Sequence, residues 1–232
     1  VYVTTSDKYL DVLKPFAYLF NKYWSKEIEV IVGGYNPPNF TLPSNFKFLT
    51  LGPQEDYPIG KWSDALIKMI KFLPDPFFVL MLEDYWITRP VDTVAVDMLF
   101  QYMQRNRNVI RMDLTADRKF AGGVEEYGRI GHLELLKSHP KSPYHMSLMC
   151  AMWRRELLLD ILVPEETPWD IEIEGTNRLK EKHDLLVLGT NNVPVKHTLA
   201  FRGGDKEKLL LDELEPEDVE AMEGYGLLEG LK

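Results

Sequence analysis

The stretch VLMLEDYW at residues 79–86 constrains the fold more than any other part of the chain: four apolar residues, then Glu83 and Asp84, then two aromatics. Turn-forming residues bound it, with Pro74, Asp75 and Pro76 before and Arg89 and Pro90 after. A short apolar run between turn signals is the pattern of a strand buried on both faces, as in a parallel sheet covered by helices. Two adjacent acids at its end then leave the core at the C-terminal edge of that sheet, where open α/β sheets hold their ligands. A metal and a phosphorylated ligand are what such a pair would serve. The competing reading is that the two acids only begin the next loop.

The flanking pattern extends the sheet. Residues 1–5 read as a first strand, with Ser6 and Asp7 as its exit and the cap of a helix. In that helix Leu10, Leu13, Phe16, Ala17, Phe20 and Trp24 share a face at 3.6 spacing. Residues 27–32 and 46–51 are expected strands, and residues 52–60 a loop holding Gln54, Glu55, Asp56 and Tyr57. Ser63 or Asp64 opens a helix that turns Leu66, Ile67, Met69, Ile70 and Leu73 inward. Strand, helix, strand, strand, helix, strand is the opening of a doubly wound nucleotide-binding sheet.

Past the acids, Asp92 caps a helix to about Arg105, and residues 109–112 form a strand. Residues 113–131 are polar, contain Gly122, Gly123 and Gly128, and are expected as a long loop near a site. Strands are expected at 132–137 and 147–152, and a helix at 154–162. Thr167, Pro168, Trp169 and Asp170 make a helix start with an N-cap, a first-turn proline and an acid at the third position. Residues 185–188 and 193–196 read as a last pair of strands, and the tail beyond 205 as two short acidic helices split by Pro216.

At 232 residues the chain suffices for one large α/β domain, and 45% hydrophobic residues with 12% aromatics suit a packed core. A formal net charge of -9 makes nucleic acid an unlikely partner, because a phosphate backbone calls for a basic surface. Cys150 stands alone, which excludes a disulfide framework and fits a reducing compartment, the cytoplasm. No apolar run reaches the roughly 18 residues of a membrane span, and VYVTTSD is not a signal peptide. A start at Val1 in place of methionine fits a fragment of a longer polypeptide.

Four segments together carry a resemblance: KWSDAL at residues 61–66, LEDYW at 82–86, CAMWRREL at 150–157 and PWDIEIEG at 168–175, followed by the basic HTLAFRGG at 197–204. In this order and spacing the chain resembles the GT-A-fold glycosyltransferases, and within them a group of small bacterial and viral members. The resemblance implies one domain over residues 1–232 with a mixed central sheet flanked by helices. Residues 1–112 would be its nucleotide-sugar half, 113–204 its acceptor half and 205–232 an acidic helical tail. It implies a nucleotide-sugar donor, a glycan or other hydroxyl acceptor, and a divalent cation, Mn²⁺ or Mg²⁺, held by a DxD motif. Here the motif is altered to Glu83-Asp84-Tyr85. Asp84 is then the first choice of metal ligand, Glu83 the second and His197 a third; without a metal, Arg202 and Lys196 would supply the positive charge.

The resemblance also places the early loops around the donor. Thr5, Ser6, Asp7 and Tyr35 would surround base and ribose, and Lys61, Ser63 and Asp64 would reach ribose or sugar. Inverting transfer needs a carboxylate to take the acceptor's proton. The other acid-dense stretch beside aromatics holds Asp170, Glu172 and Glu174. Glu172 matches the family's Trp-x-x-Glu and is preferred as base, with Asp170 second because an acid there also serves the helix start. Trp153 and Trp169 are candidates to stack on sugars or to pack the core, and Tyr144, His145 and Ser147 to face the acceptor. Competing readings are a hydrolase working with paired carboxylates on a glycoside or phosphoester, and an inactive nucleotide-sugar-binding module.

Overall fold

The computed structural model describes residues 1–201 and 209–231. β1 (Tyr2–Thr4) leads through a 3-10 turn at Asp7–Val12 into α1 (Leu13–Tyr23), which buries Leu13, Phe16, Ala17, Leu19 and Phe20. β2 (Val30–Gly34), β3 (Phe46–Thr50), α2 (Trp62–Phe72), β4 (Phe77–Leu82) and β5 (Tyr85–Ile87) follow, with Glu83 and Asp84 as the turn between the last two. α3 (Thr93–Arg105) starts at Asp92, whose carboxylate accepts the Ala95 N–H at 2.9 Å as expected of its cap. Next come β6 (Val109–Asp113), α4 (Asp117–Phe120), β7 (Val124–Ile130), β8 (Leu133–Ser138), β9 (Ala151–Arg154) and α5 (Arg155–Leu159). α6 (Pro168–Glu181), β10 (Leu186–Thr190), β11 (His197–Leu199) and α7 (Pro216–Gly224) complete the chain.

Two compact units form, each from separate stretches: Val1–Gln54, Met81–Val91 and Val195–Lys232 in one, Glu55–Leu80 and Asp92–Pro194 in the other. In the first unit β1 pairs parallel with β2, and β2 parallel with β3, while β5 pairs antiparallel with β11. Phe16, Phe20 and Phe46 meet edge-on or stacked between α1 and β3, with ring centroids 5.7–6.3 Å apart. In the second unit β9 lies between β4 and β6, antiparallel to both. β6 runs parallel to β10, which pairs antiparallel with β8, and β8 with β7. The expected strand and helix order of residues 1–82 and the mixed α/β architecture are present. No helix among the described residues is long and apolar enough to cross a membrane.

Four expected elements differ. The loop at 113–131 is instead α4 and β7; β7 is an edge strand exposed at every position except the last, so it lacks the alternating apolar signal of a strand with one face covered. Gly131, at φ 57, makes its tight turn into β8. The strand expected at 147–152 begins only at Ala151; the Leu148 and Met149 N–H groups and the Met149 carbonyl bond to side chains in place of a strand ladder. The strand expected at 193–196 is β11 instead, since Val193 turns the chain at φ 35. In the tail, Pro216 occupies the first turn of α7 and starts that helix, where a missing N–H costs nothing.

Candidate functional site

Glu83 and Asp84 sit where the apolar run of β4 ends. Glu83 is buried, and the Thr5 hydroxyl at the end of β1 donates to its Oε1 at 3.4 Å. Asp84 has a buried Oδ1 with no hydrogen-bond partner among the described residues. Burial pushes its carboxyl up to about 6, opposed among the described residues by its own backbone N–H. A carboxylate removed from water without a counter-charge is costly, and such groups concentrate at functional sites. The backbone on either side is fixed: β11 continues past Leu199 so that the Ala200 N–H donates to the Asp84 carbonyl at 2.8 Å.

The loops after β1, β2 and β3 are tied together at the same end of the parallel strands. Asp7 accepts from the Asn36 backbone N–H at 2.9 Å and the Asn36 amide at 2.6 Å, and its own N–H donates to Gln54 Oε1 at 3.0 Å. Asp7 thus holds loops in register in addition to standing where a donor was expected. Tyr35, next to Asn36 in sequence, is buried. At Gly34 a Cβ would fall 2.7 Å from the Phe48 ring and 2.8 Å from Thr5 Cγ2, so only glycine lets β2 end against Thr5. Asn36 was not anticipated; Asn-Pro-Pro reads as ordinary turn chemistry.

The expected donor residues of the second unit have different partners. Lys61 is exposed at the foot of α2. The Asp64 carboxylate accepts the Glu165 N–H at 2.7 Å, and the Ser63 hydroxyl accepts the Glu166 N–H at 3.0 Å. Glu165 is held at φ 65, a strained setting for a residue with a side chain. Arg178 grips both oxygens of Glu166 at 2.7 and 2.8 Å. Ser63 and Asp64 therefore anchor the loop that enters α6.

On α6 the acids of PWDIEIEG separate. Asp170 is exposed and forms the capping box, its carboxylate accepting from the Thr167 N–H and hydroxyl while Thr167 accepts the Asp170 N–H. The Thr167 hydrogen bonds hold its carboxyl below the usual range. Glu172 turns inward and accepts the Leu148 N–H at 2.7 Å. Burial raises its pKa, opposed by the Leu148 bond and the Arg111 charge. Trp169 is exposed, whereas Trp153 is fully buried against Arg111, whose guanidinium lies 5.2 Å from its ring.

Beneath the 144–149 segment lies an ion cluster that sequence reading missed as a unit. Arg111, Asp113 and Arg118 have no exposed surface; Asp113 pairs with each arginine at 2.7 Å. Its sequence signal was present in Val-Ile-Arg-Met-Asp, two charges in a strand otherwise apolar. His145, expected near the acceptor, is buried with Nδ1 2.8 Å from Ser138 Oγ, and burial with the Arg118 charge pushes its pKa down to about 4.

Hard divalent cations take oxygen ligands, and sites for Mg²⁺ use one or two carboxylates completed by substrate phosphates. The Asp84 Oδ1 without a partner, next to Glu83, fits that donor set. No three His, Cys, Asp or Glu side chains among the described residues form a group able to hold a metal. His197 is not brought into such a group; its register sets it across from Ile87, and its ring packs on Tyr85 at 4.8 Å. Arg202 lies outside the described residues.

No protein-family model matches the sequence, and no curated protein matches it. Among solved structures the chain is similar to residues 1–349 of S. aureus TarS, with a TM-score of 0.50 and 16% identity. That likeness covers 82% of this chain and 56% of the TarS chain. A UDP-glucose pyrophosphorylase complexed with UDP-glucose matches at TM-score 0.47 and 10% identity, covering 93% of this chain and 86% of its own. The galactosyltransferase LgtC, in complex with donor and acceptor sugar analogs, matches at TM-score 0.42 and 12% identity, over 78% of this chain and 64% of its own. The fold is that of the GT-A-like nucleotide-diphospho-sugar transferases.

Proposed function

We propose that the protein moves a sugar from a nucleotide-diphosphate donor to a hydroxyl of a glycan or another acceptor, with inversion at the anomeric carbon. The observation that carries this reading is the buried Asp84 oxygen at the end of β4, without a partner among the described residues, beside Glu83 and the Thr5 loop, within a GT-A-like fold. An ionised carboxylate kept there at neutral pH is prepared for positive charge. Asp84 and Glu83 are the pair that would hold Mg²⁺ or Mn²⁺, which when bound supplies charge against the departing diphosphate. Thr5, Asp7 and Tyr35 are assigned to the nucleoside, with Asp7 keeping Asn36 and Gln54 in place.

Glu172 is assigned as the base. The acceptor oxygen bonds to the anomeric carbon, the bond from that carbon to the diphosphate oxygen breaks with its electron pair, and the acceptor's proton passes to the Glu172 carboxylate. A base works best when its proton affinity lies near the working pH, and burial moves Glu172 in that direction.

A thermal-shift panel of nucleoside diphosphates and nucleotide sugars, with and without Mn²⁺ or Mg²⁺, tests the donor half. At least one nucleotide should raise the melting temperature of the wild type and leave Asp84→Ala unmoved. Absence of any response across the panel would sink the proposal. With a donor identified and no acceptor present, slow release of free sugar is expected, whereas a glycosidase would ignore the donor and cleave a glycoside.

A further inference from the structure

In the segment from Tyr144 to Met149, residues 145–148 are buried while the Tyr144 side chain is exposed, and the segment forms no strand or helix. Its polar groups are held one by one. The Tyr144 carbonyl accepts from Arg118 Nη1 at 3.0 Å, and His145 bonds Ser138. The Met146 N–H donates to the Thr176 hydroxyl at 2.9 Å, and the Leu148 N–H to Glu172 at 2.7 Å. The Met149 carbonyl accepts from Arg111 Nη2 at 3.3 Å. Two arginines therefore grip the two ends of the segment that supplies the Glu172 contact.

Those arginines are placed by acids and one hydroxyl. Asp113 bridges them, Asp117 Oδ2 lies 3.3 Å from Arg111 and 3.7 Å from Arg118, and Arg118 Nη1 also donates to Ser138 Oγ at 2.8 Å. Arg111 Nε and Nη1 and Arg118 Nη2 are buried without hydrogen-bond partners among the described residues. Replacing buried ion clusters with apolar residues is often neutral or stabilising, so one that leaves N–H groups unmatched is poorly explained by stability. Its geometry is better explained by what it holds.

We propose that Arg118 is a positioning residue for Glu172: anchored by Asp113 and Ser138, it fixes the Tyr144 end of the segment whose Leu148 N–H orients the Glu172 carboxylate. The proposal rests on the reading of Glu172 as the base for its meaning, but its geometry stands without turnover. The groups facing Glu172 are Arg111 from β6, Asp117 at the start of α4, and Ser147 and Leu148 from the segment itself. Loosening the Tyr144 end admits water to the carboxylate and removes the burial that raises its proton affinity.

The test follows the Glu172 carboxyl carbon by NMR during pH titration of ¹³C-glutamate-labelled protein, assigned by Glu172→Gln, together with amide exchange. Arg118→Gln should return Glu172 to the ordinary glutamate range and speed exchange of the Leu148 amide roughly tenfold, the order of one charge-assisted hydrogen bond. Val3 and Val32 amides should stay unchanged. Arg118→Lys, which keeps a cationic donor, should restore part of both signals. Wild-type titration and exchange in a folded Arg118→Gln protein would overturn the proposal. So would uniform acceleration across the second unit that Arg118→Lys does not relieve. If Arg118→Gln does not fold, Ser138→Ala removes one anchor and should still speed Leu148 selectively; no change there is equally decisive. None of these readouts needs a donor or acceptor, so a failure of sugar transfer and a failure of this proposal are separately visible.

Discussion

At the β4–β5 turn, burial raises the Asp84 carboxyl with, among the described residues, its own backbone N–H in opposition, whereas on α6 Glu172 is buried against the Leu148 N–H and in the field of Arg111. Both acids are drawn out of water, but among the described residues Asp84 has no compensating partner, whereas Glu172 is surrounded by supports. A carboxylate that needs an outside cation and a carboxylate held ready for a proton are different chemical objects. In the proposed reaction this difference matches Asp84 to the diphosphate end of the donor and Glu172 to the acceptor hydroxyl.

The largest effect should come from the uncompensated acid. Asp84→Ala is expected to abolish transfer and to weaken nucleoside diphosphate binding, read by product formation and by calorimetry. Glu172→Gln should lower turnover by roughly 10²–10⁴, the usual range for a general base, and leave donor affinity nearly intact. Weakened donor binding in Glu172→Gln, or full activity in Asp84→Ala, would exchange or remove these roles.

A smaller effect separates the two acids through stability. Folded Asp84 keeps its proton up to about pH 6, while the unfolded chain releases it near 3.8. Between those values the folded state binds more protons, so stability falls as pH rises through the window. Asp84→Asn should therefore be more stable than wild type at pH 7, by ~3 kcal/mol in buffer free of divalent cations. The gain should shrink as pH falls below about 6 and vanish below about 4, which denaturant melts across that range would show. A variant that gains stability while losing transfer marks strain retained for function.

Much of the first unit was legible because apolar runs and turn residues set its strands directly. The acidic pair was legible as a position, at the end of a buried strand, though not as one buried oxygen without a partner among the described residues. In the second unit the readable signals were local ones, such as the Asp92 cap and the Thr167 helix start. What escaped was made by long-range pairing: β7 has no apolar face to announce it, and the 144–149 segment takes its bonds from Glu172, Thr176, Arg111 and Arg118. Ser63 and Asp64 read as donor contacts, and their sequence did not announce the hydrogen bonds they make a hundred residues away at Glu165 and Glu166.

The smallest effect is expected at Asp170, and it sharpens the choice of base. Its carboxylate already accepts from the Thr167 N–H and hydroxyl, and these bonds hold its proton affinity below the ordinary range, away from the pH at which a base works well. Burial moves Glu172 the other way, toward that pH. Asp170→Ala should then lower the melting temperature modestly by opening the capping box, and leave turnover nearly unchanged. Loss of turnover in Asp170→Ala with a normal melting curve, alongside an active Glu172→Gln, would move the base two residues toward the helix start. It would also detach the 144–149 segment from the chemistry, since its Leu148 N–H bonds Glu172 while Asp170 is bonded to Thr167.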